Sequence, residues 1–439
     1  MKRLFTDKNL RQLLILNFFF GGTEAAFYLR STFLASCGVD AKETGVIFAV
    51  TGLIGAVAPI IGGFLADRVL NRHKVYLLSL VAYLILILLT PISGKARIGL
   101  LLMACITIPA YEVFFPVAQG IVETVTINAT NAAEGTDYAH VRLFMSIGFL
   151  LFNVLMTPVM THLSLDACYY VLGCAALISV LLQGTVLRNS ASVRPGGKRF
   201  DFHTLSLKTG LKNVISKVRS ENPAWSRIRK DLKEISGSYY LLTFLLLSVI
   251  VTVAQVNTGY LNYLLLYNGL PTSSIGLISG LKVIGEIFIM LLFPLLRKKI
   301  SLSGFQILGG VFFVLQLLFQ QAATSVTEII LFEILGGIAN GLIISSVGHY
   351  LRALSPFGLE ATALLLRVAA KSFGNALFSI VEGNIIENGG IIVCYRFSMD
   401  LELLFVVLLI ISLILGKYVF HKENVCPLFF VREKSQIQH

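Results

Sequence analysis

The stretch GGFLADRVLNRHK, residues Gly62 to Lys74, places one acid and several bases between two long apolar segments. Apolar segments of about 20 residues recur on both sides of it, and each is long enough to cross a hydrocarbon core of ~30 Å as an α-helix. The chain has 439 residues, of which 56% are hydrophobic and 14% charged, whereas soluble domains carry about 25% charged residues. The sequence therefore predicts an all-α membrane protein.

Twelve apolar segments are predicted to be transmembrane helices. They cover residues 10–36, 44–66, 75–93, 98–123, 140–162, 167–187, 238–265, 273–295, 303–322, 328–351, 360–386 and 399–420. One long polar stretch divides them into two groups of six. The predicted parts are an N-terminal six-helix half at 1–187, a cytoplasmic basic middle loop at 188–237, a C-terminal six-helix half at 238–421 and a cytoplasmic tail at 422–439. The middle loop is expected either to lie on the anionic inner leaflet as an amphipathic helix or to serve as a tether.

The net charge of +12 is distributed unevenly along the chain. Of the 36 lysines and arginines, 27 fall on the side of the termini, four fall in loops on the opposite side and five fall inside predicted spans. Cytoplasmic loops of membrane proteins carry such an excess, so both termini are predicted to be cytoplasmic and the protein to lie in the cell membrane. Because topology explains the basic charge, no nucleic-acid partner is expected.

Several function classes lack their sequence patterns. The six cysteines are scattered without a CxxC pair, the seven histidines form no HExxH pattern, and no GxxxxGK[ST] phosphate loop is present. We therefore expect no metal site, no cofactor and no enzymatic or ATP-driven activity, with a lipid-modifying enzyme as a minor alternative. The glycine-rich GGIANG, Gly336 to Gly341, lies within a predicted span, where close helix packing or a hinge is the expected role.

Polar side chains inside two consecutive spans mark candidate binding positions. A charge at the centre of a membrane helix costs ~2.5–3.5 kcal/mol, so such residues are expected to face a cavity or a partner. In both spans three polar or aromatic residues are separated by seven and four positions, which places each set on one helix face. The sets are Glu112, Gln119 and Glu123 in the fourth span, and Arg142, Phe149 and Asn153 in the fifth.

Glu123 and Arg142 are expected to face one another across the interior. A guanidinium supplies a planar fork of donors and a carboxylate supplies acceptors, a combination suited to the hydroxyls of a sugar-like ligand. Phe149 would offer an aromatic face to the apolar side of a ring. The alternative is a structural ion pair that joins two helices.

Charges in other spans are candidates for ion coupling. Lys282 with Glu286, and Arg367 with Lys371, each lie on one helix face at positions i and i+4. Glu286 and Glu333 are the candidate proton carriers, with static pairing to the four bases of the second half as the alternative. These five residues form the predicted coupling set.

Two further charges, Glu24 and Arg30, lie in the first span. Their spacing of six residues puts them about 120° apart on a helix, so they are poor partners for each other. We expect them either to pair with other charges inside spans or to contact an anionic group of a substrate.

The opening stretch resembles the signature loop of the major facilitator superfamily, in which a glycine, an acid and several bases separate the second and third spans. The resemblance implies that this loop closes the cytoplasmic side in one conformation and releases it in the other. Leu70 stands where the family usually has glycine, and Asn71 where a base is common, which implies a weaker latch. The residues that the resemblance assigns to this gate are Gly63, Asp67, Arg68 and Arg72.

Two longer stretches, TGVIFAVTGLIGAVAPIIGGFLADR (Thr44 to Arg68) and VETVTINATNAAEGTDYAHVRLFMSIGFLL (Val122 to Leu151), are similar to the lactose permease branch of this superfamily. That branch contains oligosaccharide/proton symporters and their nucleoside and aromatic-acid relatives. The resemblance implies sugar contacts, a stacking aromatic residue and an acid active in both binding and coupling. The sugar contacts fall on Glu123 and Arg142. The stacking aromatic residue is Phe149, and the acid with both functions is Glu286.

The chain departs from that branch at its coupling residues. Gln316 stands where the ninth-span arginine is expected, Gly336 and Ala339 replace the tenth-span histidine and glutamate, and Ala254 and Asn257 replace seventh-span acids. Proton coupling through the usual residues of the branch is therefore not supported by this sequence.

The sequence predicts a secondary active transporter that works by alternating access between its two halves. We expect a monomer in the lipid bilayer that moves a small polar solute, with a sugar or glycoside first and proton symport favoured by the family resemblance. A nucleoside or small organic-anion carrier and an exporter are alternatives within the superfamily. A non-transporting receptor on a transporter fold is the alternative of another class.

Overall fold

The computed structural model describes residues 7–64, 72–98, 101–132, 138–190, 234, 237–356 and 360–419. Within these ranges the chain is almost entirely helical. Two short strands, β1 (Arg97–Ile98) and β2 (Leu101–Leu102), pair antiparallel. The helices of the first half are α1 Lys8–Thr23, α2 Ala26–Ser36, α3 Ala41–Phe64, α4 Arg72–Ser93, α5 Ala104–Ala132, α6 Tyr138–His162 and α7 Leu165–Ser190. Those of the second half are α8 Tyr239–Ile250, α9 Val253–Thr258, α10 Leu261–Tyr267, α11 Ile275–Leu296, α12 Leu302–Gln320, α13 Val326–Leu354, α14 Glu360–Gly389 and α15 Ile391–Tyr418.

Ten stretches of the described helices are long and apolar enough to cross a membrane. They correspond to all the predicted spans except the first, which is divided between α1 and α2, and the eleventh, α14, which carries several charges. The predicted all-α membrane fold is confirmed.

The helices pack into two groups that follow the order of the chain. In the first half α1 packs against α6 and α7, and α4 packs against α5 and α7. In the second half α13 packs against α11 and α12, and α15 packs against α8, α12 and α14. Two helix pairs make most of the contact between the halves, α3 with α14 and α6 with α11. The interface between the halves is therefore built around these two pairs.

Both pairs approach closely at the end that lies opposite the termini. A Cβ atom on Gly45 of α3 would lie 2.4 Å from the carbonyl oxygen of Ser379 on α14. A Cβ atom on Gly276 of α11 would lie 2.3 Å from the carbonyl oxygen of Asn153 on α6. Because only glycine fits at such distances, the two halves are in backbone contact at this end.

Two predicted spans are broken where a continuous helix was expected. In the first span the amides of Glu24 and Ala25 bond to carbonyls three residues back, at Gly21 and Gly22, which tightens the turn between α1 and α2. The seventh span, predicted at 238–265, is divided into α8, α9 and α10. Hydropathy averages over a whole span, so it does not reveal such local breaks.

The predicted starts of two spans are also wrong, because hydropathy does not show where a helix begins. The fourth span was expected at 98–123, but residues 97–102 form the β1–β2 ribbon and α5 begins at Ala104. The twelfth was expected to begin at 399, but α15 begins at Ile391, directly after Gly390. Gly390 has a φ of +83°, a left-handed conformation that glycine adopts at no steric cost and that separates α14 from α15. Arg396, assigned to a loop, therefore lies inside a helix.

Candidate functional site

A cavity of about 310 Å³ lies between the two halves. The first half contributes residues of α2, α3 and α5 to its wall, and the second half contributes residues of α9 and α14. Its size falls at the lower end of the range for small-molecule sites, about 300–1,000 Å³. The lining residues are Phe27, Arg30, Phe48, Thr51, Gly52, Gly55, Glu112, Pro116, Gln255, Val256, Ser372, Asn375 and Ser379.

An ion pair between Arg30 of α2 and Glu112 of α5 forms part of this wall. Nη1 of Arg30 donates a hydrogen bond to Oε1 of Glu112. The same guanidinium lies over the ring of Phe48, with 4.0 Å between its Cζ and the ring centroid, a cation–π contact. Its Nε has no hydrogen-bond partner among the described residues. The prediction that Arg30 pairs with another charge inside a span is confirmed.

Glu123 and Arg142 face one another as predicted. Nε of Arg142 lies 3.7 Å from Oε1 of Glu123, and the two side chains are 29% and 36% exposed, respectively. Gln119 donates a hydrogen bond of 3.4 Å to the same carboxylate oxygen. Neither residue of the pair is among the lining residues of the cavity. The polar stripe of α5 is therefore divided, because Glu112 faces the cavity whereas Glu123 faces Arg142 and is contacted by Gln119.

Glu24, at the break between α1 and α2, connects this pair with the second half. It lies within electrostatic range of Glu123 and Arg142 in the first half, and of Glu286 and Lys371 in the second. Charges of both signs from both halves therefore converge around one carboxyl group. The sequence marked Glu24 as an acid inside an apolar span, with pairing to another charge inside a span or contact with an anionic substrate group as the alternatives.

Phe149 and Asn153 are both buried in helix contacts in this conformation. The ring of Phe149 packs edge-on against Tyr28 of α2, with 5.2 Å between ring centroids. Nδ2 of Asn153 donates a hydrogen bond of 2.9 Å to the carbonyl oxygen of Phe149, and its backbone contacts Gly276 of α11. The predicted contact of these two side chains with a solute stays a prediction.

Lys282 pairs with Glu333 of α13 rather than with the acid one turn further along its own helix. Its Nζ lies 3.0 Å from Oε2 of Glu333 and donates a hydrogen bond of 3.0 Å to Oγ1 of Thr258. Gln316 and Gln320 donate to Oε1 of Glu333 over 3.0 and 2.7 Å. Lys282 and Glu333 are both buried. This cluster has the partners of a static ion pair.

Glu286 is instead connected to the cavity by hydrogen bonds. Its Oε2 accepts a bond of 3.0 Å from Asn340, whose Oδ1 accepts one of 3.1 Å from Gln255 in the cavity wall. Lys371 of α14 lies within electrostatic range of Glu286. Arg367, one turn before it, has a buried Nε without a hydrogen-bond partner among the described residues.

The predicted gate lies mostly outside the described residues. Asp67 and Arg68 are outside them, and Gly63 and Arg72 lie at helix ends where only the backbone is described. The middle loop from 191 to 233 and the tail from 420 onward are also outside the described ranges.

Two buried acids of the second half were missed by sequence reasoning. Glu382 of α14 accepts a hydrogen bond of 2.8 Å from Ser398, and Glu402 of α15 accepts one of 3.3 Å from the backbone amide of Ala254. Both side chains are 0% exposed. Their position within predicted spans was the signal that could have identified them.

Comparisons with known proteins agree with this architecture. The model of the MFS_1 like family matches residues 10–397. An uncharacterized transporter of Bacillus subtilis (strain 168), YwbF, is 25% identical over 276 residues, which is 62% of this chain and 61% of that protein. The alignment thus spans less than two thirds of that relative.

Solved transporter structures share the fold. The nucleoside transporter NupG superposes with a TM-score of 0.70 at 17% identity, covering 94% of this chain and 100% of NupG. The peptide transporter POT in complex with sulfate superposes with a TM-score of 0.68 at 11% identity, covering 93% of this chain and 94% of POT. The expected likeness to the major facilitator superfamily, with two six-helix halves, is confirmed.

Proposed function

This chain belongs to the MFS_1 like family, and we propose that it is a secondary active transporter for a small polar solute that carries a ring and several hydroxyl groups. The cavity between the halves is the observation that supports this function. Arg30 offers donors, Gln255 and Asn375 offer carboxamides, and Phe27 offers an aromatic ring. Such a wall suits a glycoside, our first candidate, because hydroxyls meet the polar groups and the apolar ring face meets an aromatic ring.

A nucleoside is the second candidate. Its base would stack on an aromatic ring such as Phe27, and its ribose hydroxyls would meet the same polar groups. The fold likeness to NupG, a nucleoside transporter, adds support for this class.

The proposed mechanism is alternating access by rocking of the two halves. The backbone contacts at Gly45 and Gly276 keep the end opposite the termini closed. The partial exposure of Glu123 and Arg142 suits an opening on the side of the termini. Phe149 and Asn153 would reach a solute only if α6 moves relative to α2 and α11, because Phe149 packs against Tyr28 of α2 and Asn153 contacts Gly276 of α11.

We further propose that transport is proton-coupled symport. Glu24 lies within electrostatic range of charges from both halves, Glu286 among them, and Glu286 is connected to the cavity through Asn340. A carboxyl group whose charged neighbours change between conformations can gain and lose a proton in each cycle. Glu333, the other predicted carrier, is assigned a structural role because Lys282 and two glutamines hold it.

The arrangement in the membrane is part of the proposal. The excess of lysine and arginine on the side of the termini supports a cell-membrane protein with both termini cytoplasmic. We assign residues 1–187 and 238–421 to the two halves, and we propose that one chain is the transporting unit, because the cavity is lined by both halves of a single chain.

Uptake into proteoliposomes tests these proposals. Purified protein is reconstituted and offered a labelled panel of monosaccharides, glycosides and nucleosides, with and without an imposed pH gradient. We expect accumulation of at least one member of the panel when the outside is acidic. Flux that ignores the gradient would remove the symport proposal. No flux of any solute would contradict the carrier proposal and favour a receptor.

A further inference from the structure

A second group of acids lies inside the second half, away from the cavity wall. Glu382 of α14 and Glu402 of α15 each use Oε1 to accept one hydrogen bond, and each keeps a buried Oε2 without a partner among the described residues. Ser398 lies between them, because it donates to Glu382 and is four residues before Glu402 on the same helix face. Asn257 of α9 donates to Ser398 over 3.3 Å.

No cation faces this pair among the described residues. The titratable groups within electrostatic range of Glu382 include Tyr260, at the break between α9 and α10, and Cys394 and Tyr395 on α15. Glu402 lies within range of Glu382 itself. Helices α9 and α12, which also pack against α15, contain no charged residue.

The nearest basic residues by position are also remote or exposed. Arg396, two residues before Ser398 on α15, is exposed. Lys371 is eleven residues before Glu382 on α14, about 16 Å along the helix at 1.5 Å per residue. Lys42, at the end of α3 that contacts α14, is exposed, as is its neighbour Glu43. Two carboxylates buried without a counter-charge would cost several kcal/mol each, so each must carry a proton or hold a cation.

We propose that Glu382 and Glu402, with Ser398 and Asn257, form a proton-binding site that is loaded in this conformation. A proton on each carboxylate removes its charge and gives an O–H donor to a group that otherwise only accepts. Both side chains are fully buried, which suits a proton better than a hydrated ion. This inference rests on the proposed function only in so far as the bound proton is the one that drives transport.

Tyr260 offers a physical connection between this site and the cavity. It is buried, and its hydroxyl donates a hydrogen bond of 2.8 Å to the carbonyl oxygen of Ser379, which lines the cavity. Its ring lies 5.6 Å from that of Phe48 in the first half. Separation of α3 from α14 at the closed end would move Tyr260 relative to Phe48 and open a path toward Glu382. The proton would then be taken up or released on that side.

Infrared spectroscopy of the purified protein tests whether the site is protonated, without knowledge of the solute. A neutral carboxyl group has a C=O stretching band separate from that of a carboxylate. We expect the neutral-carboxyl band at neutral pH to weaken in Glu382→Gln and in Glu402→Gln, each of which mimics the protonated acid in shape. Glu387→Gln, on the exposed surface of the same helix, should leave the band unchanged. An unchanged band in both buried variants would overturn the proposal.

The alternative is that the two carboxylates bind Na⁺ instead of protons, and infrared spectra in two salts distinguish these possibilities. The measurement is repeated in sodium chloride and in choline chloride. A proton site gives the same band in both salts. Loss of the band in sodium alone would mean that Na⁺ displaces the protons, and it would overturn the assignment to protons.

Transport measurements test whether this proton drives uptake. With a solute that accumulates in the panel, Glu382→Gln and Glu402→Gln should retain equilibrium exchange and lose accumulation driven by a pH gradient. Full accumulation in both variants would overturn the coupling role while leaving the carrier function intact. If no solute is transported, the proposed function fails and the infrared result still decides the proton site. Ser398→Ala provides a second variant, for which a proton site predicts a shifted band.

Discussion

Arg30 of α2 donates a hydrogen bond to Glu112 of α5 in the wall of the cavity between the halves. The pair is joined across two helices of the first half, and both residues face the second half through the cavity. A charged pair at membrane depth that also lines a cavity is a favourable place for a polar solute. The proposed function follows from this position.

Removal of one member of this pair should destabilise the protein. Glu112→Gln leaves Arg30 with a buried charge and no counter-ion, a change that costs about 3–5 kcal/mol in buried pairs. The double variant Arg30→Gln with Glu112→Gln removes both charges and should recover much of the stability. Thermal unfolding in detergent measures this effect. We expect no uptake in the double variant, because both charged groups of the cavity wall are removed. Uptake at the wild-type rate in this variant would show that the pair is only structural.

The Glu123–Arg142 pair should behave differently because it is partly exposed. Pairs of this kind contribute about 0–1 kcal/mol, so Glu123→Gln should leave the melting temperature nearly unchanged. We expect the same variant to raise the KM for the transported solute or to abolish uptake, since a carboxamide offers hydroxyl groups one acceptor oxygen in place of the two of the carboxylate. Asp166→Asn, which breaks the exposed pair with Lys95 at 3.2 Å, is the matched control and should transport normally. Equal KM values in both variants would argue against a solute contact at Glu123.

Lys282 and Glu333 should prove to be a structural pair. Lys282→Met alone leaves a buried carboxylate, for which we expect a loss of about 3–5 kcal/mol in the free energy of unfolding. The double variant Lys282→Met with Glu333→Gln should recover stability and retain uptake driven by the pH gradient. Denaturation curves and uptake assays on the same preparations measure both quantities. Loss of gradient-driven accumulation in a stable double variant would restore Glu333 as a coupling residue.

The closed end opposite the termini should depend on Gly45. Gly45→Leu places a side chain where the carbonyl oxygen of Ser379 leaves no room, so the halves cannot meet there. We expect this variant to fold, to lose transport and to expose Asn375→Cys to a membrane-impermeant thiol reagent from outside the cell, in a chain whose native cysteines are replaced by serine. Gly348→Leu is the control, because a Cβ at that position meets no atom within 4 Å. Unaltered labelling in the Gly45 variant would contradict closure at this contact.

Local periodicity was enough to predict one ion pair between consecutive helices, although this pair lies outside the cavity wall. The seven-and-four spacing placed Glu123 and Arg142 on facing stripes of consecutive helices, and the structure brings them to 3.7 Å. The close packing expected for GGIANG is also confirmed, since a Cβ on Gly337 would lie 1.9 Å from the carbonyl oxygen of Lys282. Glu123 and Arg142 could be paired because they lie on consecutive helices. Close packing at Gly337 could be predicted because glycine is the residue type found where two helix backbones approach.

Partners that are distant in the chain could not be predicted. Arg30 and Glu112 are 82 residues apart and meet only because α2 and α5 converge on the cavity. Lys282 has an acid one turn away at Glu286, yet it pairs with Glu333. Glu333 is buried, so its carboxylate would be an uncompensated charge without Lys282. Helix breaks, such as that at Glu24, escaped prediction because they depend on backbone hydrogen bonds and not on hydropathy.

Protection of the cavity by the transported solute tests the central claim most directly. Two variants are made in a cysteine-free chain. Asn375→Cys places a thiol in the cavity wall, and Asp166→Cys, the control, places one in the exposed pair with Lys95. The rate of alkylation is measured in proteoliposomes with increasing concentrations of the solute that accumulates in the panel. If the solute occupies the cavity, alkylation at position 375 slows over the concentration range of the transport KM, and alkylation at 166 stays constant. Transport without any protection at 375 would contradict the assignment of this cavity as the binding site.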